Sequence, residues 1–156
     1  MSDEENKTTE EHDIIEAHVE DVTIKLEYYY PSHEPRKDDP HFSMFQKTRE
    51  RLKRLGLLVC WRCGATDNIE LHHDKVEWAL QNGVDLDKFK HLYPEFHVES
   101  DDEFADWVNS EANLLPLCLF CHRSTEGIHT CVYPSWVIKR VWKDSLPEPV
   151  RKISGK

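Results

Sequence analysis

Two Cys-x-x-Cys pairs, Cys60-Trp61-Arg62-Cys63 and Cys118-Leu119-Phe120-Cys121, constrain this chain more than any other feature of its 156 residues. Each pair can deliver two sulfurs to adjacent corners of one tetrahedron, so the spacing predicts a closed four-thiolate zinc site formed by Cys60, Cys63, Cys118 and Cys121. With 38% hydrophobic residues the core is modest for the length, and a metal staple suits such a domain. Five cysteines, four of them in these pairs, fit metal binding in a reducing compartment better than a disulfide framework. Cys131 is left over as an idle or buried thiol.

The formal net charge of -10 argues against a nucleic-acid partner until its distribution is examined. Residues 1–21 carry nine acids and one lysine, and residues 74–111 carry eleven acids and three lysines, so each stretch is net -8. What remains, including both knuckles, is net +6. The module that carries the cysteines is therefore basic, and nucleic acid returns as a candidate partner. No apolar run approaches the ~20 residues that cross a bilayer. The start, Met1-Ser2-Asp3-Glu4-Glu5, is acidic where a secretory signal would be basic and then apolar. The expectation is a cytoplasmic protein with no membrane contact.

The chain divides into a disordered acidic tail (1–21), a single domain (22–143) with an insertion (74–111), and a loose C-terminal tail (144–156). The alternating Val22-Thr23-Ile24-Lys25-Leu26-Glu27-Tyr28-Tyr29-Tyr30 predicts a strand. Phe42, Phe45, Leu52 and Leu55 recur near helical spacing, with Gly56 at the place of a C-cap. That helix carries Lys47, Arg49, Arg51, Lys53 and Arg54, a phosphate-contacting face or merely a solvated one. Gly64 permits a tight turn after Cys63. Ile69 to His73 reads as a short strand ending in paired histidines. The insertion reads as helical pieces, the last opened by Ser100-Asp101-Asp102-Glu103 in a capping-box pattern. Asn113 to Cys121 should form a strand or turn, followed by a helix from about His122 that places Glu126 on the same face. Pro134 suits the first turn of a last helix, Ser135 to Lys143.

Between and after the knuckles stand His72, His73 and His122, which a four-thiolate zinc does not need. Neutral imidazole is both a ligand for borderline divalent metals and a base poised near neutral pH, so clustered histidines can divide the two tasks. Adjacent strand residues point to opposite faces, so His72 and His73 should have different roles. Phosphodiester hydrolysis needs a base for water, a cation for the charge growing on phosphate, and something to hold the base in place. Asn113 can supply the last by pinning the loop through side-chain hydrogen bonds. The blander alternative is a zinc-knuckle domain with incidental histidines.

The elements Cys60-x-x-Cys63, Leu71-His72-His73, and Asn113-Leu114-x-x-Leu117-Cys118-x-x-Cys121-His122 together resemble the His-Asn-His (HNH) endonucleases, in the subset braced by two Cys-x-x-Cys knuckles. The resemblance covers roughly residues 57–130. It implies an α+β fold: a zinc-braced ββα-metal, treble-clef-like nuclease core with an N-terminal strand and helix, a helical acidic insertion and a C-terminal helix. It implies that His72 and His122 bind a catalytic divalent metal, that His73 is the general base and that Asn113 orients it. Two departures stand out. The first is the 39 residues between His73 and Asn113, where the family commonly has a short loop. The second is Glu126, four residues after His122, where related sites place a third metal histidine. Glu126, His129 or a water then fills the third place, with oxygen ligands and waters leaning to magnesium or manganese and a third imidazole to zinc or nickel. The expected activity is hydrolysis of DNA phosphodiesters, by nicking or double-strand cleavage, in bacteriophage or mobile-element DNA processing. The alternatives are an HNH-type RNase, or a catalytically inactive binding module with a protein partner on the acidic tail or insertion.

Overall fold

The computed structural model describes residues 14–153, which form a mixed α+β arrangement on a sheet of two strands. β1 (Ile69–His73) and β2 (Leu114–Cys118) run antiparallel, with Ile69 opposite Cys118 and His73 opposite Leu114. This ladder joins the first knuckle's neighbourhood to the second at one end and sets the paired histidines at the other. β2 runs straight into the short helix α4 (Leu119–Arg123).

α1 (Phe42–Arg54) precedes the first knuckle. It ends as its sequence predicts, with Gly56 at φ 69°. There Gly56 N donates to Lys53 O at 3.2 Å and Leu57 N to Leu52 O at 2.9 Å, the bond pair of a Schellman ending. Leu52 packs against Leu71 and Leu114. α1 therefore covers the side of β1 from which Leu71 and His73 project. Gly64, at φ 79°, makes the left-handed turn after the first knuckle.

The insertion builds a small core of its own from Val76, Phe89, Val98, Phe104, Trp107 and Val108. Its helices are α2 (Leu86–Leu92) and α3 (Asp101–Val108), and residues Trp78–Gly83 form a 3-10 turn. Ser100 caps α3 by accepting from Glu103 N at 3.2 Å. Glu103 reaches back to Glu99 N at 2.8 Å, one residue short of the partner a capping box expects.

Three expectations are corrected. Val22 to Tyr30 is not a strand: it forms no regular element, pairs with nothing among the described residues, and leaves Val22, Ile24, Leu26 and Tyr28 exposed. Strand preference acts through cross-strand and same-face neighbours, and this segment has none. The last helix starts earlier and is shorter than expected, as α5 (Tyr133–Val137) followed by a 3-10 turn over Ile138–Val141. Only Trp136 is buried across these two elements, too little apolar surface to carry a longer helix. The helix after β2 also begins before His122 and stops before Glu126. Of the acidic N-terminal tail, residues 1–13 lie outside the described residues, and 14–21 are exposed and form no regular element. No helix among the described residues is long and apolar enough to cross a membrane.

Candidate functional site

One sulfur each from Cys60, Cys63, Cys118 and Cys121 lies within 4.8 Å of the others. A tetrahedron with metal–sulfur bonds of about 2.3 Å has edges of about 3.8 Å. Cys63 Sγ and Cys118 Sγ are 3.7 Å apart, a zinc-site edge and far too long for a disulfide. The four cysteines can hold a zinc ion. Burial pushes the Cys60 thiol up, but the backbone amides of Cys118, Cys63 and Arg62 outweigh it and bring the thiol down to about 7. Burial pushes the Cys121 thiol well up, so in the absence of a cation that sulfur stays protonated.

Arg62, between the first two cysteines, is a partner that sequence reading missed. It is 5% exposed. Its Nε donates to Trp136 O at 2.9 Å and its Nη1 to Cys121 Sγ at 3.5 Å. No carboxylate pairs with it among the described residues. A guanidinium buried this deeply needs an anion, and a divalent cation held by four thiolates leaves a net charge of -2 beside it.

The second cluster begins with the alternation of β1. Glu70 and His72 project from one side, toward α4 (Leu119–Arg123), while His73 projects from the other. Single nitrogens of His72, His122 and His129 lie within 4.8 Å of one another. His122 Nδ1 is 3.0 Å from Glu70 Oε1, which also accepts from Arg123 Nε at 2.7 Å. Burial raises the Glu70 carboxyl, but the bonds from His122 and Arg123 outweigh it and keep the group below its ordinary value. An ionised Glu70 can only accept, so His122 carries its proton on Nδ1 and turns the Nε2 lone pair toward His129 Nε2, 2.8 Å away. His72 Nδ1 is buried without any hydrogen-bond partner. Burial, then His129, His122 and His73, push His72 down to about 3, so its ring is neutral. An orphaned buried nitrogen beside two converging imidazoles fits a divalent cation. Metal–nitrogen bonds of about 2.0–2.1 Å set such nitrogens about 3.3 Å apart, so His122 and His129 would separate slightly around one.

His129 reaches this cluster by a fold-back rather than along a helix. α4 ends at Arg123, and the chain returns with Ile128 N donating to Cys121 O at 2.9 Å and Cys131 N to Gly127 O at 2.8 Å. A Cβ at Gly127 would sit 2.6 Å from His122 O, so only glycine lets the return pass this close. Glu126, the other candidate for the third ligand, is not in the cluster; its Oε1 accepts from Lys152 N. Glu77 lies behind His129, 3.8 Å from its Nδ1.

On the opposite side of β1, His73 is 9% exposed and its ring stacks on Phe45 at a centroid distance of 5.7 Å. Its Nε2 is 3.1 Å from Asn109 Oδ1. Burial pushes His73 down to about 4, against the bond to Asn109, so the ring is neutral at pH 7. Asn113 is fully buried and holds the loop after His73 as its spacing predicts. Its Oδ1 accepts from Lys75 N at 2.8 Å and Val76 N at 2.9 Å, and its Nδ2 donates to Val76 O at 2.9 Å and Val108 O at 2.8 Å.

Of the residues singled out from sequence, the structure gathers Cys60, Cys63, Cys118 and Cys121 in one cluster and His72, His122 and His129 in another. His73 and Asn113 lie on the flank. Glu70, Arg62 and Asn109 were missed. Only Glu70 was legible, standing two residues before His72 on one face of a strand. Comparison with family models, curated proteins and solved structures finds no match.

Proposed function

We propose that this chain is a metal-dependent endonuclease of the HNH type, hydrolysing DNA phosphodiester bonds on a zinc-braced ββα-metal core. The observation that carries this reading is the division of the histidine doublet. β1 turns His72 to His122 and His129, and turns the adjacent His73 to the opposite side, against Phe45 and a hydrogen-bonded Asn109.

His72, His122 and His129 would hold the catalytic cation, and three imidazoles lean to zinc or nickel over magnesium. When bound, it supplies positive charge against the phosphate and the leaving oxygen. The remaining work falls to the chain. His73, neutral at pH 7, takes the proton of the attacking water. Asn113 keeps the loop after His73 from drifting, through four side-chain bonds. Lys47, Arg51, Lys53 and Arg54 stand exposed on α1, beside the His73 flank, where phosphates of the substrate can be neutralised.

A plasmid-nicking assay with magnesium, manganese, nickel and zinc, on wild type and His73→Ala, tests the proposal. Cleavage by wild type that falls at least about 100-fold in His73→Ala is expected. Equal cleavage by both removes His73 as the base. No cleavage in any metal points instead to a zinc-stabilised binding module, for which the acidic insertion argues. The same assay on RNA separates DNase from RNase, since a metal and a base do not themselves discriminate the sugar.

A further inference from the structure

We infer that Asn109, supplied by the acidic insertion, is a positioning residue that fixes the tautomer and aim of His73, leaving His73 Nδ1 as the nitrogen that receives the proton. The inference rests on reading His73 as the base.

Asn109 is fully buried at the C-terminal end of α3, where its place among four segments is settled by bonds on every side. Its backbone carbonyl accepts from Thr48 Oγ1 of α1 at 2.9 Å. Its Nδ2 faces two carbonyls, His41 O and Ala105 O, each at 3.4 Å. Its Oδ1 faces the Arg36 guanidinium, with Nη1 and Nη2 each at 3.4 Å. Donors on one side and acceptors on the other allow only one orientation of the amide. The atom at 3.1 Å from His73 Nε2 is therefore an oxygen, which can only accept, and His73 carries its proton on Nε2.

The other nitrogen is then the basic one. His73 Nδ1 has no hydrogen-bond partner among the described residues, which leaves its lone pair free to accept. When Nδ1 takes a proton from water, the Nε2–H bond to Asn109 becomes charge-assisted and stronger. Arg36 would oppose that positive charge, but it is held to Asp39 at 3.3 Å and lies over the rings of Phe45 and Trp78 at 4.6 and 4.9 Å. The long separation between the histidine doublet and Asn113 thus has a chemical use: it brings in the side chain that aims the base.

The test uses the full zinc-loaded chain. Nitrogen-15 NMR of the His73 ring in wild type should show the Nε2–H tautomer; an Nδ1–H tautomer overturns the inference, with no variant needed. Asn109→Leu should populate both tautomers and lower kcat by about 100-fold with little change in KM, the signature of a misaimed group. Asn109→Asp keeps the accepting oxygen but sets a second oxygen against the two carbonyls. It should lose thermal stability yet retain the Nε2–H tautomer and most of the activity, which separates aiming from helix capping. Asn109→Leu as active as wild type, with His73→Ala inactive, defeats the role of Asn109 and leaves the nuclease reading standing. Equal activity of His73→Ala and wild type defeats both.

Discussion

Two side chains, Glu70 and Arg62, stand against the two groups of residues that could hold metal. Glu70 accepts from His122 Nδ1 at 3.0 Å, fixing the tautomer that frees Nε2. Glu70→Gln should weaken cation binding at the histidine cluster by roughly 10- to 100-fold, the usual effect of losing a carboxylate behind a ligating histidine. Calorimetric titration with nickel measures it, and zinc held by the cysteines should be unaffected. Arg62 is the counter-charge to the thiolates. Arg62→Met keeps much of the packing against Trp136 but removes the cation, and should cost about 3 kcal/mol, as does breaking other buried ion pairs from one side. Urea unfolding of the zinc-loaded chain reports it. An unchanged midpoint would mean that the buried charge is balanced elsewhere.

Among the elements, those whose hydrogen bonds close locally were legible from sequence. α1 with its Gly56 ending and the Ser100 cap of α3 follow from short-range spacing, and β1 was legible to the residue from its composition although its ladder bonds reach β2. The failures share a cause, since each depended on what the segment meets in space. Val22 to Tyr30 has the composition of a strand but no partner. The residues after Cys121 have the spacing of a helix, yet Ser124 to Cys131 turns back on α4 and carries His129 to His122. The candidate site was half visible for the same reason: Asn113 could be assigned its pinning role from its place before β2, whereas Asn109 acquires its role only when α3 docks on β1. Gly127→Ala tests the fold-back directly. With His122 O only 2.6 Å from the added carbon, the loop must move, at a cost of about 1–3 kcal/mol. Nickel affinity should fall with the displacement of His129, while the cysteine site keeps its zinc. Retention of full affinity would show that His129 is not a ligand.

At the scale of the whole molecule, the net charge of -10 conceals a separation of sign. The exposed basic residues of α1 lie on the His73 side of the sheet, and the acids sit in the insertion and the N-terminal stretch. If α1 faces DNA, replacing Lys53 and Arg54 by alanine should reduce the dependence of log Kd on log salt by about 2, one for each phosphate that the protein no longer neutralises. Fluorescence anisotropy across a salt series measures this, and an unchanged slope would take α1 out of the interface. The two-stranded ladder has a consequence of another kind. A strand read against its neighbour behaves like a reading frame, and sliding β1 by one residue exchanges its two faces. A slide one way would set His73 in the place of His72 and Asp74 against Asn109, and a slide the other way would set Leu71 in the cluster and His72 against Asn109, so neither slid frame keeps an imidazole in both places. The ends hold the frame as well, since Cys118 lies opposite Ile69 and Asn113 clasps the loop beyond His73. Zinc bound at the knuckles would therefore help to set the register as well as brace the fold: a chain stripped of it would lose one of the contacts that hold the two histidines to their own faces.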